Sequence, residues 1–197
     1  LNDGTGKFRD VTDRLGEDRF SFGMSHSLAD FDGDENLDIY MVGMGSTTAR
    51  RLEGLKLGRQ GFESIQDARM KMGYGNRLFL GDGKGGFKQA SYNDRVARSG
   101  WSWGCTPWDF DNDGDRDLFV ANGHIMNDQE LDSDTLTYAQ PDQLFENRGE
   151  GKFAEISIQS GDYFSQHHVA RGAVHLDYDN DGDLDLLISN SGNYFNF

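Results

Sequence analysis

Two motifs repeat in step along this chain, and their shared register limits the fold more than any other feature. The first is a glycine turn ending in phenylalanine, at residues 2–8, 81–87 and 147–153. The second is a nine-residue aspartate loop, at residues 30–38, 109–117 and 177–185. From the turn phenylalanine to the first loop aspartate (Phe8 to Asp30, Phe87 to Asp109, Phe153 to Asp177) the chain runs 22, 22 and 24 residues. The whole unit recurs after 79 and then 68 residues. Interleaved motifs with a held spacing mark a repeat architecture, in which one small unit is copied and stacked.

Within a unit the pattern is that of strands. Leu37, Ile39 and Met41 alternate with Asp38 and Tyr40, the period of a half-buried strand. Leu118-Phe119-Val120 and the run from Leu184 to Ile188 are short and apolar, as in strands covered on both faces. Residues 76–80 and 143–145 lead into glycine turns and Phe87 and Phe153 lead out, as in hairpins. A unit therefore has four strands: into the aspartate loop, out of it, into the glycine turn, and out. Four antiparallel strands per repeat is the plan of a propeller blade. Two inserts break the rhythm. In residues 44–76, Phe62, Ile65, Ala68 and Met72 are spaced for an amphipathic helix near 62–72, whereas residues 124–140 are polar and read as a long loop.

The loops carry carboxylates at positions 1, 3, 5 and 9: Asp30, Asp32, Asp34 and Asp38; Asp109, Asp111, Asp113 and Asp117; Asp177, Asp179, Asp181 and Asp185. Four like charges in nine residues repel one another unless a cation sits among them. Calcium takes six to eight oxygens at about 2.3–2.6 Å, which short aspartates on a tight loop can supply. Position 7 (Asn36, Asp115, Asp183) is expected to offer its backbone carbonyl. Three calcium ions are expected, one per loop; magnesium rarely uses an all-protein carboxylate cage. An EF-hand would need a bidentate Glu at position 12 between flanking helices. Position 12 is Met41, Val120 and Ile188, and the flanks read as strands. In the first loop Glu35 replaces the glycine of position 6, where a positive φ is expected, at a cost of roughly 1 kcal/mol.

Net charge narrows the partners. The chain carries 34 acidic and 19 basic residues, a net charge of -15, and fifteen of the acids lie in the three loops. Such a balance disfavours nucleic acid, whose phosphates need a basic face. No run of 18 apolar residues is present to span a bilayer as a helix. The lone cysteine, Cys105, can form no internal disulfide and reads as a buried, inert thiol. One stretch runs against the overall charge: Arg50, Arg51, Lys56, Arg59, Arg69 and Lys71 make residues 50–71 a candidate docking arm for an acidic or membrane-associated partner. His167 and His168 are adjacent, which on a strand points them to opposite faces and argues against a shared metal. Trp101, Trp103, Trp108 and Phe110 are expected to pack between blades.

The loops and turns resemble the FG-GAP/VCBS repeats of integrin-type β-propellers, in particular the ASPIC/UnbV-associated and cartilage-acidic-protein-like group. The residues that carry this are Gly100-Trp101-Ser102-Trp103-Gly104, residues 109–123, Asn76-Arg77-Leu78-Phe79-Leu80, and Arg171-Gly172-Ala173 ahead of the third loop. Departures are Glu35, and Ser25 where the other units have Gly104 and Gly172. The resemblance implies a secreted, extracellular or periplasmic protein, calcium-dependent in its fold and engaged in protein–protein contacts. The fold expected is all-β: about two to three propeller blades of four antiparallel strands with calcium-binding hairpin loops, over residues 1–197, with inserts at 44–76 and 124–140. An open propeller leaves sheet edges bare, so the chain is expected to be an excerpt of a longer one, or to have its edges covered by a protein partner. The function expected is a binding or scaffold module without catalytic residues. The rival is an extracellular carbohydrate-active enzyme, a lyase or hydrolase on the same propeller.

Overall fold

The computed structural model describes residues 1–45, 49, 53–58, 60–125 and 137–192. Arg50, Arg51 and Arg59 of the basic insert, and residues 126–136 of the polar one, lie outside the described residues. Among the described residues, ten strands build three antiparallel sheets. The first contains β1 (Gly23–Ala29), β2 (Asp38–Gly43), β3 (Arg77–Gly81) and β4 (Phe87–Gln89), in that order. The second repeats it with β5 (Ser102–Trp108), β6 (Asp117–Asn122), β7 (Gln143–Asn147) and β8 (Phe153–Glu155). In the third, β9 (Ala170–Leu176) pairs with β10 (Asp185–Asn190). The four-strand unit read from the repeat is therefore the blade of the fold. The glycine turn at 2–8 closes through an Asn2–Phe8 bridge outside these sheets.

The first strands of successive sheets lie side by side, β1 against β5 and β5 against β9. Ser27 Oγ donates to Cys105 O at 2.9 Å across the first junction, and Thr106 Oγ1 lies 3.1 Å from His175 Nδ1 across the second. Burial pushes the Cys105 thiol up to about 11, which keeps it protonated and unreactive. A Cβ on Gly104 would lie 2.9 Å from Gly172 Cα and 3.0 Å from Arg171 O. The glycine pair thus sets how closely β5 and β9 approach.

The core lies between sheets. β6 is buried along its whole length because each face meets a different neighbour. Leu118 and Val120 join Phe31, Tyr40, Val42, Leu78 and Phe153 on the side of the first sheet, while Phe119 and Ala121 join Trp108, Ala170 and Ile188 on the side of the third. Trp108 is buried there beside Phe110 and stacks on His175, and Trp103 underlies the Arg171 guanidinium at 4.4 Å. These aromatics do pack between blades. β10 differs from its sequence reading: its residues are mostly half-exposed, because among the described residues no third strand covers it.

The period-two pattern of β2 is present with its faces exchanged. Asp38, Tyr40 and Val42 are buried, whereas Ile39 and Met41 are only half-buried and Leu37 is 62% exposed. Polar anchors decide the face. Tyr40 Oη donates to Val96 O at 2.7 Å and receives Asn76 Nδ2 at 2.8 Å, and Asp38 is held by two backbone N–H groups described below. One shift of register would strand all of them on the other side.

The inserts join β2 to β3 and β6 to β7, both at the end of the sheets away from the aspartate loops. The helix expected near 62–72 forms over Glu63–Met72. Lys71 at its end pairs with Glu17 at 3.3 Å and Asp67 at 3.4 Å. Beside it the buried Arg77 guanidinium donates to Lys71 O and Phe20 O. Close approach of β5 and β9 gives a direct check: Gly104→Ala should lower stability by about 1–3 kcal/mol through forced displacement of the neighbouring strand, read as a fall in the denaturant midpoint with unchanged slope.

Candidate metal centres

Each aspartate loop is folded by its own carboxylates. The position 1 aspartate caps the turn: Asp30 accepts the N–H groups of Gly33, Asp34 and Glu35, Asp109 those of Asp113 and Gly114, and Asp177 those of Asp181 and Gly182. The position 5 aspartate accepts the N–H of position 7, as Asp34 does from Asn36, Asp113 from Asp115 and Asp181 from Asp183. Two backbone positions are left-handed in every loop, 4 and 6. They hold Gly33 and Glu35 (φ 79° and 67°), Asn112 and Gly114 (59° and 97°), and Asn180 and Gly182 (62° and 98°). Position 4 carries no sequence signal of a positive φ, since asparagine fills it in two loops. Each loop has one glycine for two such positions, and in the first loop it has moved from 6 to 4.

Position 9 ties the loop to the rest of its sheet. Asp38 accepts Phe31 N–H on one oxygen (2.8 Å) and Gly81 N–H on the other (2.8 Å). Asp117 does the same with Phe110 N–H (2.9 Å) and Asn147 N–H (2.8 Å). Gly81 and Asn147 open the glycine turns, so this carboxylate joins the two repeated motifs. The side chain at position 7 adds a second contact: a Cβ on Gly83 would meet Asn36 Oδ1 at 2.2 Å, and one on Gly149 would meet Asp115 Oδ2 at 3.4 Å. The spacing seen in the sequence is the spacing of this junction. Asp185 keeps only the near half of the pattern, accepting Tyr178 N–H at 2.9 Å, and it is exposed.

The side chains of positions 1, 3 and 9 converge. Asp30, Asp32 and Asp38, Asp109, Asp111 and Asp117, and Asp177, Asp179 and Asp185 each bring carboxylate oxygens within 4.8 Å of one another. Two oxygens on one calcium ion are at most about 5 Å apart, twice the usual bond, so these triads have the size of a cation site. Asp34, Asp113 and Asp181 are turned to position 7 and are not part of the triads. Asn36 and Asp115 face the glycine turns of their sheets.

Two observations favour a cation in these places. Among the described residues no lysine, arginine or histidine forms an ion pair with any of the triad carboxylates. In addition, Asp32 Oδ1 is buried without a hydrogen-bond partner, an arrangement that costs free energy until something fills the gap. Burial, and next the neighbouring carboxylate at position 5, push Asp32 up, and the same causes act on Asp111. Burial pushes Asp38 and Asp117 up to about 6, against the lowering effect of their two N–H donors. The three centres are graded. Position 9 is buried in the first two, position 3 is half-buried only in the first, and all three aspartates of the third are exposed.

Residues 68–120 match the FG-GAP-like repeat. The matched stretch runs from the helix through β3, the glycine turn, β4 and β5 to the second aspartate loop and most of β6. It therefore runs from the second half of the first sheet into the first half of the second. No curated protein is similar to the chain over a significant stretch. The chain contains an FG-GAP-like repeat region, folded as four-stranded propeller blades, with three aspartate triads able to hold metal ions.

Tyr92 carries no signal in the sequence pattern. Its hydroxyl is buried without a partner at the first centre, where the charges of Asp32 and Asp38 help burial push it up to about 12. It also lies where a Cβ on Gly151 of the second sheet would stand, at 2.1 Å. The histidines stay apart from the triads: His168 stacks on Tyr163 and His124 on Trp101. Of two open grooves, about 530 and 260 Å³, neither touches a triad; the larger is lined by Glu53, Lys56, Glu63 and Asp67 among others.

Folding keeps protons on Asp38 and Asp117 at a pH where the unfolded chain has released them. Stability of the metal-free protein should therefore fall as pH rises from about 4 through about 6, and then level off. Thermal melts in chelator across that range read this directly, and excess metal should flatten the curve. Relief of the left-handed strain at Glu35 makes a second case: Glu35→Gly should raise metal-free stability by roughly 1 kcal/mol, measured by denaturant titration.

Proposed function

We propose that the chain is a calcium-stabilised propeller module that presents a binding surface to a protein partner outside the cytoplasm. The observation that carries this reading is the buried position 9 carboxylate shared between aspartate loop and glycine turn, repeated in two sheets. An ion at each triad would neutralise the repelling carboxylates and complete the oxygen atoms that the protein leaves unpaired. In the first centre those would be Asp30, Asp32 and Asp38, in the second Asp109, Asp111 and Asp117, in the third Asp177, Asp179 and Asp185. Asp34, Asp113 and Asp181, with the carbonyls of position 7, would join after turning toward the ion. Hard oxygen donors throughout, with no sulfur or imidazole, favour calcium over a transition metal.

The role proposed for the ions is structural. Calcium sites in extracellular modules need bind only at about 10⁻⁴–10⁻³ M, a range suited to half-exposed loops like these, which supports a location outside the cytoplasm. A scaffold rather than an enzyme is favoured because the carboxylates best placed for chemistry are those committed to a metal, and an ionised ligand cannot serve as a general acid. Docking through residues 50–71 is a narrower proposal than the sequence suggested. Lys71 already pairs within the protein, and Arg69 is only half-exposed. Lys56 remains on the exposed part of the described insert.

Calorimetric titration should find three calcium ions per chain, with affinities falling from the first centre to the third in the order of burial. Asp179→Asn should remove the weakest step and Asp32→Asn the tightest. Chelation should lower the melting temperature, since an ion bound only by the folded state contributes about 2.7 kcal/mol at a hundredfold excess over Kd. A melt indifferent to chelator would sink the calcium reading.

A further inference from the structure

We propose that Tyr92 is a positioning residue of the first metal centre, its hydroxyl bridged by one water to the ion among Asp30, Asp32 and Asp38 and wedged against the second sheet. This role rests on the reading of the triads as calcium sites. It also explains what sets the first centre apart from the second.

Tyr92 follows β4 and precedes a short 3-10 turn, Asn93–Arg95. Its ring packs on the cluster that includes Phe31, Tyr40, Leu78 and Phe153, which fixes the direction of the phenol. At the tip, the hydroxyl is buried and has no hydrogen-bond partner. The charges of Asp32 and Asp38 reach it, and Asp32 Oδ1 is likewise buried and unpartnered. The two lone atoms are close enough for charge to act between them and too far apart for a direct bond. Leaving both unpaired costs free energy. A cation at the triad would take the carboxylate oxygen, and a water in its shell would serve the phenol, which can both donate and accept. Such a bridge is nearly as favourable as a direct hydrogen bond.

The tip is also held from the far side. A Cβ on Gly151, in the glycine turn of the second sheet, would lie 2.1 Å from Tyr92 Oη and 2.2 Å from Cζ. The glycine thus leaves the space that the phenol fills. Its neighbours in the same turn reach the first loop independently. Asn147 Nδ2 donates to Phe31 O at 2.9 Å, and the Phe153 ring lies edge-on to Phe31 at 6.0 Å. Tyr92 therefore sits where the loop of one sheet meets the turn of the next, and a water bridge would join the ion to that seam.

The second sheet makes a different choice at the corresponding place. Asn93 Oδ1 accepts Leu78 N–H at 2.6 Å, and Ser157 Oγ accepts Leu144 N–H at 2.9 Å. The 3-10 turns Asn93–Arg95 and Ser157–Gln159 thus correspond. Before the second of them stands Ile156, packed on the other core cluster. An isoleucine has no polar atom to offer. Of the two four-stranded sheets, only the first brings a hydroxyl to this position.

Tyr92→Phe deletes one oxygen and keeps the ring, and loss of an unpartnered hydroxyl does not threaten the fold. Calorimetric titration of the intact chain with calcium should show the tightest step weakened about tenfold and the other two unchanged. The melting temperature in chelator should stay level or rise, because without the ion the hydroxyl has no partner to lose. In an Asp32→Asn background, which already lacks the first step, Tyr92→Phe should alter nothing further. Three outcomes would overturn the role of Tyr92 and leave the calcium reading standing: unchanged calcium steps, equal weakening of all three, or a fall in metal-free stability with affinity kept. A native chain that takes up no calcium would overturn both.

Discussion

A carboxylate buried at the junction of loop and sheet is the constraint on which this structure rests. Asp38 and Asp117 each receive one N–H from their own loop and one from the start of the glycine turn two strands on. An ionised group in such a place is unfavourable unless its charge is offset, and the hydrogen bonds alone do not bring either residue back to the ordinary carboxylate range. The same geometry that positions the strands thus creates a demand for positive charge. Fold and candidate cation site are built from one set of bonds.

Coupling extends from sheet to sheet by the same economy of means. Asn147, whose N–H serves Asp117, sends its side-chain amide to Phe31 O in the first loop at 2.9 Å. Phe31 in turn packs edge-on against Phe153, the phenylalanine that ends the second glycine turn. Phe153 therefore also serves as a wedge for the neighbouring loop. This explains why a chain with only 36% hydrophobic residues can still build a packed interior: few side chains are needed when each serves two sheets.

Much of this was legible in the residues. Three copies of a motif in register announced the repeat, and the apolar 118–120 run announced a strand covered on both sides. What could not be read was which face of a strand would turn inward when polar anchors outvote hydropathy. Ile39 and Met41 look like core and are not, because Asp38 and Tyr40 have partners that only the folded neighbours supply. The demand for a left-handed backbone at Asn112 and Asn180 was equally hidden, since asparagine tolerates that conformation without announcing it. The apolar 184–188 run shows the converse: its pattern records a cover that the described residues do not provide. Tyr92 was invisible for a simpler reason, as one residue outside a repeat carries no period.

The placement of the two inserts has a consequence for how such a molecule can diversify. Both long connections leave from one rim, while the opposite rim carries short, carboxylate-lined bends, two of them locked in length by bonds to the turn beyond. Added or lost residues on the first rim disturb none of the bonds between loop and turn. The molecule is in effect a bench with one clamped edge and one free edge, and novelty in recognition can accumulate on the free edge without renegotiating the architecture beneath it.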